Sequence, residues 1–178
     1  MLSKVESLVQ IADGRYASDQ ELVFFQQYLA SANLRLRVYQ KIQQAELEII
    51  TQVKAQVQAQ TPDIFQVSDH NLAAKWQRDT VRVLRYSAMA LLLDDADRLK
   101  ETMLLWFQTI MRAFGAQESC RLTYAAMQDV ITQYLTGEEL LHVLPILELS
   151  RVILGWQPQQ QDENFLDLQE GNILALLR

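Results

Sequence analysis

The sequence predicts an all-α protein, and three observations predict it. The five glycines, at positions 14, 115, 137, 155 and 171, each fall between apolar-periodic segments and never inside one, which is where helix ends use them. Apolar residues recur at steps of three and four, most clearly at Val38, Ile42, Ala45, Ile49, Val53 and Val57, the stripe of a helix with one buried face. No stretch sustains the period-two alternation of β-branched residues that marks a strand, so strands are not expected.

Each helix has its own start or stop signal. A short first helix is expected over residues 3–12, ended by Asp13-Gly14. Ser18-Asp-Gln-Glu21 reads as a capping box, in which the serine oxygen accepts from the third amide and the glutamate returns to the cap amide. Helical pattern then runs to about Gln60, with a bend expected near Ser31-Ala-Asn33, and Thr61-Pro62-Asp63 ends it. The next helix is expected from Asn71 to Leu93. Its last third is apolar on every side, which places it in the middle of the fold. Asp94, Asp95 and Asp97 read as an N-cap cluster favoured by the dipole of a helix that reaches Phe114-Gly115. Two further helices are expected near 119–136 and 138–154, with Pro145 kinking or splitting the second. Helices of these lengths with short joints suggest globin-like crossed packing.

Length and charge bound the function. The 178 residues make one domain, or one domain and a tail. A net charge of −6 disfavours a grip on a phosphate backbone, so no nucleic acid is expected. The longest apolar run, Ala88 to Leu93, is far short of the roughly 20 residues that span a bilayer, and no apolar stretch follows Met1-Leu-Ser-Lys to make a secretory signal. One cysteine, Cys120, excludes an internal disulfide.

The chemistry of a catalytic centre is missing. His70 and His142 are the only histidines, and they do not lie at the i, i+4 spacing of a helical metal pair. A haem would need a proximal histidine facing a pocket, whereas His142 reads as a partly buried helix residue. Asp94, Asp95 and Asp97 lack the spacing and glycine of a calcium loop. Cys120 reads as inert and half-buried, and Trp106, Phe107, Ile110 and Phe114 read as core rather than a ligand cage. No phosphate-cradling loop and no paired carboxylates stand out. An enzyme is not expected.

Lys75-Trp76-Gln77-Arg78-Asp79, followed by Leu84-Arg85-Tyr86, resembles the chromophore-helix signature of the phycobiliproteins, Lys-Cys-x-Arg-Asp and then Leu-Arg-Tyr. Asp13, Tyr16, Ser18 and Glu21-Leu22 resemble that family's opening motif. Leu34-Arg35-Leu-Arg37-Val38 and Pro62-Asp63 resemble later segments of it. The resemblance covers most of residues 11–155. It implies the globin-like phycobiliprotein fold over residues 1–155, with residues 1–32 as an N-terminal helical hairpin extension.

Two functions follow from the resemblance. The first is assembly. The family pairs an acidic residue near the first turn with the arginine of Leu-Arg-Tyr across a subunit interface flanked by aromatics, and Asp13, Tyr16, Arg85 and Tyr86 match. A homodimer or a heterodimer with a related chain is therefore expected, together with phycobilisome or photosystem partners at the cytoplasmic face of the thylakoid membrane. The second is pigment binding. The family's cysteine carries a linear tetrapyrrole through a thioether, its arginine meets a propionate, and its aspartate meets the pyrrole N–H groups. Arg78 and Asp79 match the last two, but Trp76 stands at the cysteine position, and an indole forms no thioether. Arg82-Val83 replaces paired tyrosines, and the loop before the helix is shortened to residues 66–71. Trp76 is expected to fill volume that the pigment's first ring would occupy. Arg78, Arg82 and Arg85 share one helix face, able to meet propionates or a neighbour's acids. The resemblance therefore implies a subunit without covalent bilin. A bilin held only by Arg78, Asp79, Arg82 and packing is the alternative.

From Trp156 the chain changes character. A polar run, Gln157-Pro-Gln-Gln-Gln-Asp-Glu163, precedes Phe165, Leu166, Leu168, Ile173, Leu174 and Leu177. Residues 156–178 thus form a tail that either folds over its own domain or docks on a partner.

Overall fold

A computed structural model describes residues 1–67 and 70–157 of the chain. The elements are α1 (Leu2–Ile11), α2 (Asp19–Gln60), β1 (Gln66–Val67), β2 (His70–Asn71), α3 (Ala73–Leu93), α4 (Ala96–Leu99), a π-helical stretch Lys100–Leu104, α5 (Leu105–Ala113), α6 (Gln117–Ile131) and α7 (Gly137–Leu154). The all-α expectation holds, with one correction. The shortened loop before α3 contains a minimal antiparallel pair, Gln66 opposite Asn71 and Val67 opposite His70. Two residues per strand are too few to show a period in sequence.

The capping box forms as expected: Ser18 Oγ accepts from Glu21 N, and the Glu21 carboxylate accepts from Ser18 N at 2.8 Å. The helix it opens is a single 42-residue rod. The rod's buried residues include Val38, Ile42, Ile49, Val53 and Val57 from the expected stripe. It packs on α3 and α6, and α6 packs on α7. Leu84, Leu104, Met127, Ile131, Leu147 and Leu154 close the core where these helices cross. α7 is not split, since the helix runs through Pro145. The end of α3 is not wholly interior: Ala88, Ala90 and Leu91 are buried, but Met89 faces solvent.

The first 33 residues stand apart from this core. α1 buries no residue, and the first buried residue of α2 is Arg35. Leu2, Val9, Ile11, Tyr16, Val23 and Leu29 are exposed along this hairpin extension. Two polar clasps fix its base. Asp95, the N-cap of α4, accepts from Ser3 N and Ser3 Oγ, both at 2.9 Å, and from Arg98 N at 3.2 Å. Arg35, 2 % exposed, lies over the Tyr28 ring at 4.1 Å and donates to Tyr28 O, Leu92 O and Ser31 Oγ. A buried guanidinium needs such acceptors.

Candidate functional site

The Lys75–Tyr86 segment forms the first two-thirds of α3. Its N-terminal turns face α6 across a cavity of about 510 Å³, within the range of small-molecule sites. Phe65 and Leu72 close one end of it, Phe107 and Met111 of α5 the floor, and Cys120, Thr123 and Tyr124 of α6 the far wall. The chain turns beneath the cavity at Gly115, whose φ of +63° suits glycine. Gly115 N donates to Arg112 O and Ala116 N to Met111 O, a Schellman end that reverses α5 into α6.

Trp76 is half-buried on the cavity wall. Its indole N–H donates to Thr123 Oγ1 at 2.8 Å, and its ring meets that of Phe65 at 4.8 Å between centroids. Those two contacts hold the indole against the wall, and the cavity is open beside it. Asp79 also lines the cavity, with Lys75 Nζ 3.5 Å away and lying over the Phe114 ring at 4.8 Å. Arg78 and Arg82 do not line it. Both are exposed on the surface of α3.

Arg85 continues that outward stripe and finds an acid of its own chain. Its Nε and Nη2 each donate to Glu46 of α2 at 2.7 Å, a bidentate pair that is largely exposed. Asp13, Tyr16 and Tyr86 are exposed as well, Tyr16 almost completely. Asp13 and Arg85 do not pair within one chain.

Cys120 is more buried than half, at 8 % exposed, and it sits on the cavity wall. Burial, then the charge of Asp79, pushes its thiol up to about 12, so it is not a thiolate near neutrality. Burial pushes the Tyr124 phenol well above its ordinary range. Phe107 is core as expected, but Trp106 and Phe114 are exposed at 55 % and 68 %, so that group of aromatics is only in part a core. His142 is partly buried in α7 as expected. Among the described residues no group of three His, Cys, Asp or Glu side chains could hold a metal ion. No described helix is long and apolar enough to cross a membrane.

A family model described as phycobilisome protein matches residues 8–152. The chain belongs to the phycobilisome protein family. The matched span runs from within α1 to near the end of α7, so it takes in both the hairpin extension and the cavity. A phycobilisome-related role in photosynthesis comes with that membership, as do bilin chromophores and oligomeric assembly as properties of the family. No curated protein compared with the chain matches it.

The sequence pointed to Trp76 and Asp79, and the structure brings both to one cavity. It did not point to Thr123 and Tyr124, which lie on a helix far along the chain. Their only sequence signal is that they share the i, i+3 and i, i+4 face of Cys120 on α6.

Proposed function

We propose that this phycobilisome-family protein carries no covalent bilin and serves as a non-enzymatic interaction module in the assembly or regulation of phycobilisome or photosystem complexes. The observation that carries this reading is Trp76: the attachment position holds an indole whose N–H is committed to Thr123 and whose ring rests on Phe65. The cavity's one thiol, Cys120, is held protonated by burial, which suits it poorly to replace the missing nucleophile.

The surface supports the other half of the reading. Val9, Ile11, Val23 and Leu29 are exposed apolar side chains on the hairpin, which also carries the exposed Asp13 and Tyr16. Asp13 and Tyr16 of one chain would meet Arg85 and Tyr86 of a second copy or a related chain, the guanidinium exchanging or sharing its Glu46 partner. A pair between charge and apolar rings fixes register as well as attraction. Work at the cytoplasmic face of the thylakoid membrane is consistent with this role.

The test is made on protein purified from its native host. Its mass should equal that of the polypeptide, with no band between the blue and the far red, and cross-linking should capture a phycobilisome or photosystem subunit. A covalent chromophore adduct overturns the proposal. A second reading, a bilin held without a bond, is favoured by the open cavity with Asp79 on its wall. A strong red band released as free bilin on denaturation selects that reading instead.

A further inference from the structure

The chain leaves α7 beside the start of α3. Trp156 follows the end of α7, and the Arg112 guanidinium lies over its ring at 4.9 Å. Two residues on from Arg112, the Phe114 ring carries the Lys75 ammonium at 4.8 Å. Lys75 stands in the first turn of α3. Gln157, the last described residue, departs from that neighbourhood.

Along α3 from Lys75, one exposed face changes character. Arg78, Arg82 and Arg85 come first, at i, i+4 and i+7, and Tyr86 and Met89 follow on the same face. Arg78 and Arg82 make no ion pair among the described residues, and Arg85 has Glu46.

Residues 158–178 carry the complement in the same order. Asp162, Glu163, Asp167 and Glu170 come first, interleaved with Phe165, Leu166 and Leu168. Ile173, Leu174, Leu176 and Leu177 follow, with Arg178 the one cation of the segment. The lengths agree as well. Lys75 to Met89 rises about 21 Å along its helix, and residues 162–177 span about 22 Å even at a helical rise. Residues 157–161 supply up to roughly 16 Å of connection. The hairpin offers exposed apolar side chains too, but it holds Glu6, Asp13, Asp19 and Glu21 against Lys4 and Arg15. That is the wrong sign for an acidic segment.

We propose that residues 158–178 dock within their own chain along this face of α3, their acids on Arg78, Arg82 and Arg85 and their apolar end on Tyr86 and Met89. Each exposed ion pair is weak, but tethering holds the segment at an effective concentration on the order of mM, so weak contacts suffice. The docked segment covers Arg85 and Tyr86 and so competes with a neighbouring subunit for them. That consequence rests on the proposed pairing of those two residues with Asp13 and Tyr16 of a second chain.

The test uses the full chain with the photo-cross-linker p-benzoylphenylalanine in place of Phe165 or, separately, of Leu174. It is irradiated at a dilution where sedimentation shows single chains. Cross-links should form within one chain and fall on α3, from position 165 near Arg78 and Arg82 and from position 174 near Tyr86 and Met89. Arg78→Glu with Arg82→Glu should lower the yield at 165 at least threefold, and adding Asp162→Arg with Glu163→Arg should restore it. Arg78→Gln with Arg82→Gln replaces the reversed pair if circular dichroism shows that pair to be unfolded. About 1 M salt, where the Debye length falls to about 3 Å, should lower the yield in the parent as well. Cross-links on the hairpin or another face, cross-links only between two chains, or no cross-links overturn the proposal. So does a yield that the folded arginine variants leave unchanged. Sedimentation then tests the competition: Asp162→Asn, Glu163→Gln, Asp167→Asn and Glu170→Gln together should tighten self-association at least threefold. An unchanged association constant with the cross-links in place overturns the competition and the shared interface, and not the docking.

Discussion

Trp76 is held by two contacts of different kinds, a hydrogen bond to Thr123 and ring packing on Phe65. Trp76→Ala removes both and enlarges an existing cavity, so it should cost about 2–3 kcal/mol in urea unfolding. Thr123→Val tests the hydrogen bond alone and should cost about 1 kcal/mol. Asp95 is the clearest pH-sensitive residue. Burial would raise its pKa, but hydrogen bonds from Ser3 N, Ser3 Oγ, Arg98 N and the terminal ammonium outweigh that and hold it at about 2. A folded pKa below the unfolded one stabilises above the unfolded value, and that stability is lost as pH falls from about 4 to about 2. Asp95→Asn should therefore cost about 2 kcal/mol at pH 7 and flatten the stability–pH curve in that window. Equal slopes in both proteins would show that other carboxylates carry the acid transition. Asp95 was legible in sequence as a cap, because capping is local. Its bonds to Ser3 were not, because they join positions 92 residues apart.

Helix ends were the most readable elements. The Ser18–Glu21 box starts α2 where the sequence placed it, and Ser18→Ala should cost about 1 kcal/mol, seen as faster amide exchange in the first turns of α2. The π-helical stretch Lys100–Leu104 had no sequence signal. Buried Leu99, Met103 and Leu104 sit around that one wide turn, so it sets which side chains of the α4–α5 rod meet the core. Gly155 was read as the stop of α7, and it has a second role. A Cβ there would meet Arg151 O at 2.7 Å and Arg121 Cβ at 2.9 Å, so glycine lets the end of α7 touch α6. Gly155→Ala should separate the two helices and cost about 1–3 kcal/mol, read as a lower urea midpoint.

At the scale of the molecule, the fold leaves its apolar hairpin uncovered. Asp13 is exposed and lies outside the core, so Asp13→Ala should leave unfolding within about 0.5 kcal/mol of the parent. If Asp13 pairs with Arg85 of a neighbour in a buried contact, the same change should weaken association by about 2–5 kcal/mol. Analytical ultracentrifugation measures it, and an unchanged association constant rejects that pairing. The Arg85–Glu46 pair inside the chain bears on this, since Arg85→Ala removes an exposed, solvent-screened ion pair that contributes little to the monomer. A much larger loss for the dimer than for the monomer separates the interface role from the internal one. The expected tail readings fall on residues 156–178, of which 158–178 lie outside the described residues.

By itself the sequence determined the helical class, the order and most of the ends of the helices, the family resemblance and the absence of a thiol at position 76. Those rest on composition and on neighbours within about one turn, which a linear reading contains. Tertiary structure alone decided that Trp76 joins Thr123 and Phe65 on the wall of an open cavity, that Arg78 and Arg82 lie outside its lining, and that Arg85 meets Glu46. Each depends on how α3 is rotated against α2 and α6, and that angle comes from core packing among residues far apart in the chain, which no local pattern encodes.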